Sequence, residues 1–259
     1  MIEQSFSIYH FEYFLVILAR IMGAMAFAPI FGNMNVTRRV RLFIGVAVSY
    51  IIFLNYPYEP LGYTTVYGFT SVLIKNLVVG LSIGFVSNIT LTIVSMAGQF
   101  IDRELGFSMV SNFDQTFNTE TTVTAEFYNM LVMIIMLSLD LHYFILTALS
   151  DSFRMIPMGN VKIDAGTIYD SLIQYLTSYF VIALRISLPV LITIMLLNVI
   201  LGVLAKTAPQ MSMFVIGIQM KIFAGFAVLM VTLPFLGNVT RYIYEQMDTI
   251  VMEILKAFS

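Results

Sequence analysis

The chain has no cysteine and no tryptophan, only two histidines, and charged side chains at just 11% of its 259 positions. Without cysteine, disulfides, thiolate nucleophiles and cysteine-held metals or clusters are all excluded. His10 and His142 lie far apart and share no metal-ligand spacing such as HExxH, so no metal or cofactor site is expected. Without tryptophan, any interfacial aromatic belt must be built from the 14 tyrosines. Lys and Arg total 13 against 15 Asp and Glu, a net charge of −2, which offers no basic surface to nucleic acid. The start, MIEQSFSIYHFEYF, lacks a basic region and a small-residue cleavage site, so the first apolar run is expected as a retained span.

Apolar residues are what the chain has in abundance, at 59%, with a mean hydropathy of +0.90. Soluble domains carry roughly 25% charged residues, so this composition belongs to a membrane or membrane-complex protein. Several runs approach the ~20 residues that cross a bilayer as helix. Periodicity and breakers give six apolar helical segments in an all-α chain: 11–31, 42–54, 66–101, 127–149, 172–204 and 214–236. The second is short for a span and suits a re-entrant or protein-buried helix. Between the first two, Arg38, Arg39 and Arg41 read as a basic loop, which the positive-inside rule turns toward the cytoplasm. Pro189 is expected to kink the fifth segment. From Asn238 to Ser259, Ile243, Met247, Ile250 and Ile254 form a stripe at helical spacing, an amphipathic tail helix for an interface or a partner. No linker or tandem repeat divides the chain, which reads as one domain over 1–259.

The stretch Ala97–Asn118, AGQFIDRELGFSMVSNFDQTFN, interrupts this pattern. It combines Asp102, Arg103, Glu104 and Asp114 with Phe100, Phe107, Met109, Phe113 and Phe117. Too greasy for a solvated loop and too charged for a span, it suits backbone held inside protein or lining a wet cavity at membrane depth. Arg20, Lys75, Arg185 and Lys221 lie inside apolar runs, and Asp140 is the one acidic residue embedded comparably. One carboxylate cannot serve four cations, so carbonyls, water or partner subunits must meet the rest. Lys75 and Lys221 can snorkel, whereas Arg20 and Arg185 fit that account less well. Asn198 is a further embedded polar residue, and Asp140 is expected as a buried packing group.

No catalytic residue emerges. Asp140 and His142, two apart, do not share a helical face, and no nucleophile context accompanies them. A stand-alone secondary transporter or channel is the rival class, because broken helices with embedded charge build such sites. The breaks near Arg20/Pro29 and Arg185/Pro189 do not match in spacing, which weakens it. Gly80 and Gly84 in GxxxG spacing, and Gly217 and Gly225 flanking Lys221 at four-residue steps, allow close helix approach.

Several motifs occur in order along nearly the whole chain. They are Ala28-Pro29-Ile30-Phe31-Gly32 with the arginine cluster, Gly80/Gly84, and Gly98, Gly106 and Asn112-Phe113-Asp114. The run from Asn198 through Gly202 and Ala208-Pro209-Gln210 to Gly217 and Lys221 completes the series. Together they resemble the FliR family of flagellar export-gate proteins and their injectisome counterparts. Thr37, Leu141, Lys206 and Gln219 depart from the family's usual residues at local turns.

The resemblance implies a non-enzymatic export-gate subunit in the bacterial inner membrane, in the flagellar basal body's export apparatus. It would be built of long bent helical hairpins and stand partly above the membrane plane. It would assemble with FliP and FliQ, work beside FlhA and FlhB, and pass unfolded flagellar export substrates. The resemblance further implies that the 97–118 loop turns inward as a channel plug. Gly98 and Gly106 would be its hinges, and Phe107, Met109, Val110, Asn112, Phe113, Asp114 and Phe117 its gasket.

Overall fold

The computed structural model describes residues 8–28, 37–58, 60–107, 122–140, 143–208 and 213–259. It is all-α among these residues. The helices are α1 (Ile8–Phe27), α2 (Arg38–Asn55), α3 (Val66–Leu105), α4 (Val123–Ser138), α5 (Tyr143–Met155), α6 (Ala165–Thr207), α7 (Met213–Thr232) and α8 (Leu236–Ala257). A 3-10 turn, Leu233–Phe235, joins the last two around Pro234. Among the described residues, four helical stretches are long and apolar enough to cross a membrane, or five if α4 and α5 together count as one. With 40 and 43 residues, α3 and α6 have contours of about 60 Å, twice a hydrocarbon core of ~30 Å.

Two compact units are formed. One contains residues 1–89, 141–175 and 245–259, the other residues 90–140 and 176–244. In the first unit, α1 packs along α2 and α3. Gly80 and Gly84 bring the α3 backbone against α1 so closely that an added Cβ would strike the carbonyls of Arg20 and Ala24. The GxxxG pair is thus a backbone-to-backbone seam. Around it lie Tyr13, Val16, Ile17, Ile21 and Met25 of α1, with Ile52, Leu61, Val72 and Phe153.

The tail helix follows its stripe, since Ile243, Met247, Ile250 and Ile254 are all buried. Its C-terminal carbonyls at Ala257 and Phe258 accept from the Asp164 and Lys162 N–H groups (both 3.2 Å). This chain itself therefore covers the end of the helix that the sequence left open to an outside partner. Asp164 starts α6: its carboxylate accepts from the Thr167 hydroxyl, the Gly166 N–H and the Thr167 N–H. Those bonds hold its pKa below the usual carboxylate value.

Two local expectations change. Arg38, Arg39 and Arg41 are not a loop but the first turn of α2, which runs four residues further upstream than its apolar run suggests. Long arginine stems are good helix formers, so the helix extends past the hydrophobic boundary. The second change is that α3 runs through Ala97 to Leu105, so the first half of the central stretch is helix and not loop. Pro189 sits inside α6, as the fifth segment placed it, and the Thr193 hydroxyl donates to the Pro189 carbonyl at 2.8 Å.

Candidate functional site

In the second unit, α3 and α4 meet along a zipper at the end of α3. Ser95 and Asn129 exchange hydrogen bonds through Ser95 Oγ and the Asn129 amide, with distances of 2.7 and 3.1 Å. Three residues on, Gly98 lies against the Ala125 backbone, where no Cβ would fit. Gly98, expected as a hinge or a packing glycine, is a helix-interior contact whose missing side chain lets α4 approach. Four residues further, the fully buried Asp102 carboxylate accepts from the Thr124 N–H at 2.7 Å and from the Thr124 hydroxyl. Ser95, Gly98 and Asp102 share one helical face.

The Asp102 bonds do capping work. Thr122, the N-cap residue of α4, makes no side-chain capping bond, and its buried hydroxyl oxygen has no hydrogen-bond partner among the described residues. The orphan N–H of the second helical position, Thr124, is satisfied instead from α3, by a charged acceptor at the positive end of the α4 dipole. Asp102 thus needs no cation to be buried.

Beyond Asp102 the helix closes cleanly. Gly106 adopts φ +86, the Gly106 N–H reaches the Arg103 carbonyl (3.3 Å), and the Phe107 N–H reaches the Asp102 carbonyl (3.0 Å). That pair of bonds is a Schellman stop, and the left-handed residue it requires is glycine. Phe107 then packs on Phe226 of α7, with ring centroids 6.3 Å apart. Leu105, beside it, fills the space over Gly225. Of the gasket residues expected from the sequence, Phe107 is half-buried here. Met109, Val110, Asn112, Phe113, Asp114 and Phe117 lie outside the described residues.

A second polar cluster, in the first unit, explains the deepest embedded cation. Arg20 is completely buried. Its Nε and one terminal nitrogen donate to Asn76 Oδ1 (3.0 and 2.5 Å), and that nitrogen also reaches the Ile156 carbonyl (3.2 Å). The other terminal nitrogen donates to the Ser152 carbonyl (2.7 Å) and Oγ (3.4 Å). The guanidinium lies 4.5 Å from the Phe153 ring centroid. Asn76 passes the network on, donating to the carbonyls of Val72 and Met158 (2.8 and 2.9 Å). Arg20 therefore sits at the C-terminal end of α5, where the last carbonyls are orphaned and the dipole favours a cation.

The other embedded polar residues differ. Lys75 and Lys221 are half-buried, and Arg185 and Asn198 are exposed on this chain. Asp140 is not a buried packing group but an exposed residue after α4 with φ 56. Its short polar side chain tolerates the left-handed turn that ends the helix. Among the glycines, Gly217 lies 3.3 Å from Leu201 of α6 measured from its would-be Cβ, and Gly202 has nothing within 4 Å.

Sequence reasoning passed over Asn76, Ser152, Thr124 and Asn129. Asn76 is adjacent to Lys75, and charge drew attention to the wrong neighbour. Thr122 and Thr124 ahead of the α4 apolar run carried a recognisable N-cap signal. Among the described residues no group of three or more His, Asp or Glu could hold a metal ion.

Comparison with known proteins fits this architecture. The model of the bacterial export proteins, family 1, matches residues 11–247. The flagellar biosynthetic protein FliR of Pectobacterium carotovorum subsp. carotovorum is 26% identical over 242 residues, covering 93% of this chain and 91% of its own. Its namesake from Escherichia coli (strain K12) is 24% identical over 240 residues, covering 92% and 90%. That from Bacillus subtilis (strain 168) is 27% identical over 240 residues, covering 91% of each. The match runs through both polar clusters and nearly the whole helical order, and the chain belongs to family 1 of the bacterial export proteins, the FliR family.

Proposed function

We propose that the protein is a non-enzymatic subunit of the flagellar type III protein export gate in the bacterial cell membrane. It assembles there with FliP and FliQ and works beside FlhB and FlhA. What carries this reading is the family match over 11–247. Its relatives are flagellar proteins matched over about nine-tenths of their own length, which favours a flagellar role over an injectisome one. Large apolar side chains exposed along α6, among them Leu188, Ile192, Met195, Leu196 and Val199, give neighbouring subunits or lipid a surface to cover.

In this reading the residues after Gly106 plug the channel until an unfolded substrate displaces them. Phe107, Met109, Val110, Asn112, Phe113, Asp114 and Phe117 form the seal. Soft methionine and aromatic side chains suit a seal that must re-form around varied chains. The zippered α3/α4 root supports this, because both ends of that segment are tied to one buried point.

Co-purification tests the assembly: tagged chain is expected to bring down FliP and FliQ, and a null strain to lose motility. A chain that purifies alone and leaves motility intact refutes it. Deletion of Val110–Gln115 tests the plug, with a rise in ion leak through the reconstituted complex expected. Unchanged conductance refutes the seal.

A further inference from the structure

Two seams run along opposite faces of α6. One is in use: Ala183, Ser187, Val190 and Ile194, at steps of four, three and four residues, are all buried. The other is open. Val181, Arg185, Leu188, Ile192, Met195 and Val199 follow the same alternation of four and three. All six are exposed, the five apolar side chains between 42% and 67%. The next step falls on Gly202, where nothing lies within 4 Å of a would-be Cβ. This is the spacing with which one helix packs lengthwise on another.

Arg185 is the polar exception in that seam, and it narrows what can cover it. Residues 171–244 hold four cations, Arg185, Lys206, Lys221 and Arg241, and no Asp or Glu. Arg185 has no ion pair or hydrogen bond among the described residues. Lipid alone fits badly. Exposed large apolar side chains run from Leu176 to Leu204, about 42 Å of helix against a bilayer core of ~30 Å. A bilayer that reaches Leu176 immerses Arg185 about 13 Å deep. One that stops at Arg185 strands Leu176, Phe180 and Leu184 in water.

We propose that the open seam is a helix–helix interface, occupied by one apolar helix of a neighbouring gate subunit that sets an Asp or Glu against Arg185. The inference rests on the assembly read above and names its contact. A protein partner meets both demands at once, since it covers apolar side chains outside the bilayer and brings the missing carboxylate within it. A single polar pair in an otherwise apolar seam also fixes register, because a slip of one turn leaves both charges buried and unpaired. Arginine suits the position, as its fork can hold a carboxylate through two parallel bonds.

Recovery of FliP and FliQ with the tagged chain reads the contact. Arg185→Met keeps the reach of the side chain and removes the charge. It is expected to lower that recovery at least tenfold, because the partner's carboxylate is left buried alone. The melting temperature of the isolated chain is expected to hold, since Arg185 bonds to none of its described residues. Recovery equal to the parent's overturns the proposal and leaves the seam to lipid. A lowered melting temperature overturns it too, by giving Arg185 a role inside its own chain. Charge reversal then identifies the partner. Arg185→Glu is expected to abolish motility, and selection for its return should yield Lys or Arg in place of an acid on a partner's apolar helix. Suppressors confined to this chain, at Asp114 or Glu120 for example, place the counter-charge here and overturn the proposal. A parent chain that brings down neither FliP nor FliQ sinks the assembly itself. A parent that does, with Arg185→Met unchanged, sinks only the seam.

Discussion

Arg20 and Asp102 are both fully buried charges, and among the described residues neither is hydrogen-bonded to a charge of the opposite sign. Each is placed at a helix end of complementary sign, the cation at the C-terminus of α5 and the anion at the N-terminus of α4. A buried ion pair must recover the desolvation of two charges, whereas a charge on a helix end must recover only one. The two sites then diverge. Arg20 bonds to residues of α3, α5 and the turn after α5, so three parts of its unit lose a partner if it moves. Asp102 bonds to one residue, Thr124. One site ties three parts of its unit together, and the other joins two helices at a single residue.

That contrast predicts unequal costs. Arg20→Leu strands Asn76 Oδ1 and the Ile156 carbonyl inside the protein, and removes a bond to the Ser152 carbonyl and the face-on contact with Phe153. A loss of about 2–6 kcal/mol is expected, from two buried acceptors left unsatisfied at about 1–3 kcal/mol each. It would be read as loss of folded, membrane-inserted chain. Arg20→Lys is expected to recover little, because a single ammonium cannot span the fork of acceptors. Equal losses of folded chain in Arg20→Leu and Asp102→Ala would erase the distinction drawn here.

The next largest effects belong to the glycines under each site. Gly80 faces the Arg20 carbonyl and Gly98 the Ala125 backbone, both closer than any Cβ allows. Backbone cannot swing aside as a side chain can, so Gly80→Ala or Gly98→Ala should cost about 1–3 kcal/mol through helix displacement. The consequences are expected to differ in kind. Gly80→Ala should lower the melting temperature of the purified complex with no change in leak. Gly98→Ala should force α3 and α4 apart below Asp102 and raise leak as well. A Gly98→Ala complex that loses stability but stays tight would detach the zipper from the gate.

These sites also mark how far the sequence could be read. Helix content, segment order and the stripe of α8 were legible because each is a matter of periodicity. The Gly106 stop was not legible as one, since the apolar run ends at Ile101 and Gly106 reads as a hinge of the loop. Gly98 kept two readings, hinge and packing, because turn and close-packing glycines are identical in sequence, and only Ala125, 27 positions away, separates them. Arg20 announced itself as a buried cation, but its acceptors are mostly backbone carbonyls, and every residue owns one. Asp102 was visible as a charge yet silent as a cap, because its partner belongs to another helix. Asp140 misled for the opposite reason: an acidic residue in an apolar run looks buried until its backbone proves to be left-handed and exposed.

Gly202 provides the smallest effect and the cleanest control. It lies in the interior of α6 with nothing within 4 Å of a would-be Cβ. On intrinsic propensity alone, alanine there should stabilise the chain by about 0.5–1 kcal/mol. Gly202→Ala is therefore expected to raise the melting temperature of the isolated chain slightly, in contrast to Gly80→Ala and Gly98→Ala. The same variant also asks what covers α6. If FliP or FliQ packs backbone-close at that position, the stabilised chain should lose affinity for the complex, because a methyl group now occupies the seam. If lipid or open space lies there, assembly should be unchanged. A destabilised isolated chain would show that Gly202 already has an intramolecular neighbour, and would remove the reference against which the two tight glycines are judged.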